Sequence, residues 1–419
     1  MPTDINWGIF GYVITTFQVL LWGIFLYYLV ISAFGWFKRK EVPAEDFPIV
    51  NTFAVIVAAH NEERVIGNIV RNLKGLNYPQ NMYDIFVIAD NCTDTTAKIA
   101  RENGAKVYER FDPFKRGKGY SLEWMFKNLF ELEKEYDAIC IFDADNLISP
   151  NFLVEMNKQL CNGHKVIQGY LDSKNPNDSW ISGNYSIAYW ISNRLFQLPR
   201  YYLGLNCALG GTGFVMRTDV LKEIGWGATC LTEDLEFSLK LVLKGMRVSW
   251  SHEAIIYDEK PLKLSQSWRQ RKRWMQGHCD CASRYLKSML SKGVKEKNPV
   301  ALDAALYLIQ PFVIVANGLS LLLGLIVVLI NLKSFININS VSFGALILLL
   351  TYINVIFVFA EGKLSKRILK YFLAFPLYSL TWIPIIIQGF INRNKKEWVH
   401  TAHTRSLEIH EVENSGKAG

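Results

Sequence analysis

Charge is scarce in this chain, and from Trp7 to Phe37 it is absent. Only 20% of the residues are charged, while 50% are hydrophobic. That is greasy for a soluble protein and too polar for a pure transporter, so the composition fits a chain that is part membrane and part globular. The uncharged run exceeds the ~20 residues needed to span a bilayer. It lacks a basic segment before it and a clear cleavage site after it, which excludes a signal peptide and leaves an anchor. A disulfide framework is missing too: cysteines 92, 140, 161, 207, 230, 279 and 281 are scattered and read as reduced, structural thiols. His278-Cys279-Asp280-Cys281 has no second ligand cluster, so a closed zinc site is excluded. The net charge is +8, but no basic stripe or nucleic-acid-binding motif accompanies it, and no nucleic acid partner is expected. Repeats and low-complexity tracts are absent.

What charge there is lies beside the hydrophobic runs. Lys38, Arg39 and Lys40 follow the first run. Arg269, Arg271, Lys272 and Arg273 precede the second, and Lys395 and Lys396 follow the last. Such flanks mark the cytoplasmic side and acidic headgroups, so membrane lipid is an expected partner. Asp4 precedes the first run without any Lys or Arg, which puts the N-terminus outside and the following domain in the cytoplasm of an integral plasma-membrane protein. The expected division is an anchor over 1–40, a globular domain over 41–260, amphipathic interface helices over 261–300, membrane helices over 301–392 and a polar tail over 393–419. Three apolar blocks fill the membrane part, at about 305–331, 342–360 and 371–391. Lys363, Lys366, Arg367 and Lys370 place the 361–370 loop inside, and the 332–341 loop then lies outside. Three crossings would leave Lys395, Lys396 and Arg405 outside, against the charge rule. Pro376 and Pro384 interrupt the last block, which is therefore either broken or re-entrant.

The globular part reads as α/β. Phe53–Ala59 is a continuous apolar run, as expected of a strand buried on both faces. A helical pattern follows from Glu62 to Leu73. Further strands run over Tyr83–Ala89 and Ala138–Phe142, ended by Asp90 and Asp143. Acids thus fall just past consecutive strand ends, where doubly wound sheets bind ligands. Asp143 and Asp145, at i and i+2 of an extended segment, would point the same way and suit Mg²⁺ or Mn²⁺ held with a diphosphate; as a bland alternative they are a polar turn. Asp90 suits a nucleoside contact, or a helix cap within Asp90–Thr96. Arg116-Gly117-Lys118-Gly119 precedes a helix from about Tyr120; Lys118 can meet a phosphate, although the spacing excludes a Walker A motif. The turn Leu209-Gly210-Gly211-Thr212-Gly213 offers backbone shaped to admit a sugar, or is simply a tight loop. Thr232-Glu233-Asp234 opens a helical pattern, where acids complement the dipole; Asp234 also suits a general base for a hydroxyl. Over 264–290 a basic amphipathic helix is expected at the membrane surface. It carries Gln270, Arg273 and Trp274 on one face. Arg273 can hold a phosphate, Gln270 can donate hydrogen bonds and Trp274 can stack a sugar. Trp268 and Arg269 suit an interfacial anchor.

The ordered set resembles family 2 of the glycosyltransferases, specifically the membrane-embedded processive synthases of cellulose, mixed-linkage β-glucan, poly-N-acetylglucosamine, chitin and hyaluronan. The resemblance covers roughly residues 50–290. It implies an α/β GT-A (Rossmann-like) cytoplasmic domain plus an α-helical transmembrane region. Ala58–Glu63 is similar to the family's opening nucleotide turn, so Glu62 and Asp90 would contact uridine. Asp143 and Asp145 match the D-x-D pair, with Asp145 as the principal metal ligand. Asp234 matches the base of T-E-D, and Gln270, Arg273 and Trp274 match Q-x-x-R-W. Lys118, Asp143, Asp145, Gln270 and Arg273 would then bind the nucleotide sugar; Trp274, Gly211, Thr212 and Glu233 would line the acceptor. Cys207–Gly213 matches a cellulose synthase acceptor loop only in part, which leaves the sugar open. No cyclic-dinucleotide-sensing domain is expected after the membrane block.

The reading is a metal-dependent, UDP-sugar-using hexosyltransferase that inverts at the anomeric carbon. It would polymerise UDP-glucose into a linear cellulose-like or 1,3;1,4-mixed-linkage β-glucan and translocate the product across the membrane. Its partners would be the donor, the growing polysaccharide and, where export needs them, accessory subunits. The alternatives are a poly-β-1,6-N-acetylglucosamine or hyaluronan-type synthase using UDP-N-acetylglucosamine, a non-processive lipid glycosyltransferase, and a non-catalytic membrane subunit.

Overall fold

A computed structural model describes residues 7–227, 230–329, 345–346, 349–350, 352–356, 359, 365–395 and 405–412. The chain opens with helix α1 (Trp7–Ala33) and then alternates strands and helices. These are β1 (Phe53–Ala59), α2 (Ile66–Lys74), β2 (Tyr83–Asp90), α3 (Thr96–Glu102), β3 (Lys106–Arg110), α4 (Lys118–Phe130), β4 (Ala138–Asp143), the short β5 (Leu147–Ile148) and α5 (Phe152–Cys161). Next come β6 (Val166–Ser173), α6 (Trp180–Ser192), α7 (Leu198–Leu203), β7 (Phe214–Arg217), α8 (Thr218–Ile224), α9 (Glu233–Leu243) and β8 (Val248–Asp258). Long helices α10 (Leu264–Lys295) and α11 (Pro299–Leu329) follow, then α12 (Lys366–Leu373), α13 (Phe375–Leu380) and α14 (Trp382–Ile391).

One eight-stranded sheet, in the order β3-β2-β1-β4-β7-β6-β8-β5, holds the domain together. The β3-β2-β1-β4 half is parallel, while β7 runs antiparallel to both β4 and β6. The apolar run of β1 has Phe53, Val55, Ile56 and Val57 fully buried between two core clusters. Each such side chain contributes about 1.5–3 kcal/mol on burial, which fixes β1 at the centre and its end, with those of β2 and β4, at one edge.

Local geometry departs from the expected boundaries in instructive ways. Asp90 and Asp143 are the last residues of β2 and β4 rather than the first beyond them. The helix expected from Glu62 starts at Ile66, because Val65 and Ile66 both donate to the Glu62 carbonyl in a preceding turn. Helix α4 starts at Lys118, two residues early.

Helices α1 and α11 each contain a stretch long and apolar enough to cross a membrane, Thr16–Ala33 and Pro299–Ser320. Two buried arginines tie them to the globular domain. Arg194, just after α6, donates to the carbonyls of Gly35 at 2.5 Å and Trp36 at 2.7 Å. Arg200 on α7 forms a bidentate pair with Asp303 on α11, at 3.1 and 2.9 Å. The α12 helix and the α13–α14 stretch meet at a bend of 50°. Much of the 342–360 block, the 332–341 loop, residues 361–364 with Lys363, and Lys396 lie outside the described residues.

Candidate active site

The strand ends, the glycine turn, the start of α9 and one face of α10 border a single cavity of about 810 Å³. Glu62, Asp90, Lys118, Asp143, Asp145, Gly211, Thr212, Glu233, Asp234, Gln270, Arg273 and Trp274 all line it. Residues far apart in sequence therefore share one space.

At the end of the cavity that Glu62 and Asp90 line, the chain turns sharply after β1 and β2. Asn61 and Asn91 take φ values of 54° and 51° there, a left-handed conformation that Asn tolerates better than most residues. Asn61 Oδ1 accepts from the Thr93 backbone, tying the two turns together at 2.8 Å. Asp90 caps no helix: its Oδ1 accepts from buried Arg110 at 2.6 Å. Burial pushes its pKa up, against the opposing pull of Arg110.

Asp143 and Asp145 do not share one extended segment: Asp143 ends β4, and Asp145 lies in the turn beyond it. Asn146 N closes a turn on the Asp143 carbonyl at 3.1 Å, and residues 144–145 form that turn. Strand alternation is therefore not what brings the two acids together. The Asn146 side chain accepts from Asp143 N at 3.1 Å and from the Thr212 hydroxyl. That hydroxyl in turn accepts from Asp143 N at 3.0 Å, so Thr212 holds the acidic turn in place. Asp145 is buried and accepts from Glu259 N at 3.1 Å. Lys118 contacts Asp143 and donates to Gly211 O at 2.7 Å. Gly211 has φ of 78°, the left-handed conformation that favours glycine, and it borders Asp234 Oδ2.

Asp234 lies in the first turn of α9. Burial and the adjacent Glu233 carboxylate push its pKa up to about 7, and burial raises Glu233 as well. The loop before it presses on α10: a Cβ on Gly277 would stand 2.5 Å from Thr232 Oγ1. Cys230 Sγ lies 3.4 Å from Cys281 Sγ, and both thiols are free.

On α10, Tyr185 OH donates to Gln270 Oε1 at 2.5 Å, so that acceptor is held by α6. The Tyr185 ring also meets Trp274 edge-on, with centroids 6.0 Å apart. Arg271, read from sequence as a flanking charge, is fully buried. It stacks on Tyr378 and Trp382 and donates to Thr381 Oγ1 at 2.9 Å. Trp268 likewise donates to Gln388 at 2.9 Å. The Trp268–Arg271 face thus packs on α13 and α14, because a guanidinium stacks on aromatics as readily as it meets headgroups.

Several residues escaped the sequence reading. Asp258 ends β8, lines the cavity, and is held up in pKa by burial while Lys260 opposes. Lys260 lies 3.3 Å above the Tyr189 ring centroid, and Tyr189 and Tyr307 line the cavity too. The charged triplet Asp258-Glu259-Lys260 after a strand was a usable signal. Tyr189 and Tyr307, lone aromatics in apolar helices, gave none.

The cavity lining carries eight carboxylates against three Lys and Arg side chains. A diphosphate would be repelled by that excess unless a cation came with it. The hard oxygen donors of Asp143 and Asp145 suit Mg²⁺ or Mn²⁺. Among the described residues no three His, Cys, Asp or Glu side chains form a ligand cluster, so phosphate oxygens and water would complete the shell.

This α/β sheet with the cavity at its strand ends is a GT-A, Rossmann-like fold, and the chain belongs to the glycosyltransferase-like family 2, whose model matches residues 51–277. Among its relatives is the probable glycosyltransferase YdaM of Bacillus subtilis, 26% identical over 62% of this chain and 64% of that one. A beta-monoglucosyldiacylglycerol synthase of Nostoc sp. is 28% identical over 57% of this chain and 50% of the relative. A poly-beta-1,6-N-acetyl-D-glucosamine synthase of Staphylococcus aureus is 25% identical over 60% and 62%. The chain thus spans between half and two thirds of these relatives' length. The mannosyltransferase PcManGT from Pyrobaculum calidifontis, solved with GDP-Man and Mn²⁺, shares the fold with a TM-score of 0.57 at 16% identity, over 91% of this chain and 98% of that one.

Proposed function

We propose that the protein is a membrane-anchored, inverting glycosyltransferase. It extends a linear β-linked polysaccharide processively from a UDP-sugar, glucose first and N-acetylglucosamine second, with its catalytic domain on the cytoplasmic face. The observation that carries this reading is the single cavity in which the acidic turn, Asp234 and the Gln270–Arg273–Trp274 face converge.

Glu62 and Asp90 hold the nucleoside end. Asp145 and Asp143 would hold a Mg²⁺ or Mn²⁺, which when bound offsets the charge of the diphosphate. Lys118 and Arg273 bring positive charge to the phosphates as the bond to the sugar breaks and negative charge gathers on the leaving nucleotide. Trp274 presents its ring to the acceptor sugar. Asp234 takes the proton of the acceptor hydroxyl while that oxygen bonds to the anomeric carbon and the bond from that carbon to the phosphate oxygen breaks. Attack from the face opposite the phosphate turns an α-linked donor into a β-linked product. A base with pKa near 7 suits this task, since a large fraction is ionised near neutral pH and the carboxylate is still basic enough to accept the proton.

A second reading, transfer of one hexose to a lipid hydroxyl, is supported by the likeness to the diacylglycerol enzyme and by Tyr307 of the apolar α11 reaching the cavity. Membranes bearing the full chain, supplied with radiolabelled UDP-glucose, separate the two. The polymer reading expects label in high-mass material cut by a β-glucanase. Label confined to solvent-extractable glycolipid overturns it in favour of the second reading.

A further inference from the structure

We infer that the last apolar block, Lys366–Ile391, does not cross the membrane but enters and leaves on the side of the catalytic domain, lying against lipid. The inference rests on α1 and α11 crossing the bilayer and not on any assignment of the reaction.

The contacts fix the depth of each segment. Helices α1 and α11 run antiparallel: Tyr27 OH donates to Asp303 Oδ1 and Gln18 Nε2 to Ser320 Oγ, each at 2.9 Å. Gln18 and Ser32 are separated by about 21 Å along α1, at 1.5 Å per residue. The catalytic ends are those near Ser32 and Asp303, held by Arg194 and Arg200. Helix α11 therefore carries the chain away from the catalytic domain. By Asn354 the chain has come back, because Asn354 contacts both Ser32 and Trp36.

The block then starts and ends on catalytic-domain residues. At its beginning Ser365 Oγ donates to Asn177 Oδ1 at 3.3 Å, and Tyr371 fills the space that a Cβ on Gly183 would take. At its end Gln276 of α10 donates to the carbonyls of Asn392 at 2.9 Å and Lys395 at 3.2 Å. The chain beyond stays on the same side: Asn68 of α2 donates to Ser406 Oγ at 2.8 Å, and Arg71 pairs with Glu408 at 3.0 Å.

Among the described residues the outer face of the block is apolar and unpartnered: Leu369, Leu373, Leu377 and Leu380 are all exposed. Its occupant is the bilayer, because this face is continuous with two apolar spans and is flanked by exposed Lys366, Arg367 and Lys370, which suit acidic headgroups. The arrangement also removes the conflict with the charge rule, since Lys395 and Arg405 now share the side of Lys38–Lys40.

The test is side-specific labelling of the full-length chain in sealed right-side-out and inside-out membrane vesicles, using a membrane-impermeant maleimide. Native Cys161, exposed on the catalytic domain, is the internal reference, and Asn394→Cys reports the end of the block. Both are expected to react in the same vesicle orientation. Reaction of position 394 only in the opposite orientation overturns the inference. A second measurement does not depend on that variant. With Asn68→Cys and Ser406→Cys together, mild oxidation should cross-link the tail to α2, and failure to cross-link while both thiols still accept maleimide counts against the tail lying there. Neither readout needs turnover, so the topology can fail while the assigned reaction stands, or the reverse.

Discussion

The two walls of the cavity are made by different means. Asp90 and Asp143 end the two strands that flank β1 in a parallel backbone ladder, and Glu62 lies in the turn that follows β1. Tyr189, Gln270, Trp274 and Tyr307 stand on α6, α10 and α11, which meet through side-chain packing. A backbone ladder resists sliding, because each step would break several hydrogen bonds. Packed helices tolerate small shifts. On the proposed reading the strand-end wall faces the donor and is rigid, while the helix wall faces the acceptor, is assembled by packing and is the easier of the two to retune.

Predictions can break or sharpen that contrast, beginning with the largest. Asp234→Asn should lower transfer by about 10³-fold, within the range for loss of a general base, with nucleotide-sugar affinity unchanged in a binding assay. A loss of binding equal to the loss of rate would move Asp234 to the donor wall. Second, kcat/KM should fall about tenfold per pH unit below about 7, since Asp234 must be ionised to accept a proton. The same raised value ties stability to pH in the other direction. Burial favours the protonated acid, so its contribution is full below the ordinary 3.8 and is lost as pH rises through about 7. Asp234→Asn should therefore melt higher than the parent at pH 8 and level with it near pH 3. Third, Trp274→Ala should raise the acceptor KM about tenfold, as expected for an aromatic stacking contact of about 1 kcal/mol or slightly more, while the donor KM stays put. A matching rise in donor KM would show that the walls are not independent. The smallest effect is expected for Tyr185→Phe, which frees Gln270 from α6; one hydrogen bond of about 1 kcal/mol predicts a roughly fivefold change, again on the acceptor side.

The same contrast explains what the sequence disclosed. Buried parallel strands write themselves as apolar runs, and the acids that end them mark the binding edge, so Asp90, Asp143 and the α/β character could be read directly. That Asp143 and Asp145 border one space could be read too, but the cause could not. It depends on a turn closed by Asn146 and held by Thr212 from a loop far along the chain. Arg271 misled for a related reason: a basic residue beside an apolar block has the same local pattern whether it meets headgroups or two aromatic rings. Tyr185 and Tyr189 depend on how α6 lies against α10 and the end of β8, and no periodicity encodes that.

The bidentate pair between Arg200 and Asp303 has a practical corollary. Both side chains are almost fully buried, at 1% and 2% exposure, and they belong to different parts of the chain. A soluble fragment that stops before Pro299 would keep Arg200 and lose Asp303. The same cut would strip the apolar cover that Ala301, Ala304, Ala305 and Leu308 give Leu239, Val242 and Cys281, leaving an exposed apolar patch beside the unpaired arginine. The globular domain is therefore expected to resist isolation from α11, and expression trials should retain residues through at least the first turns of that helix.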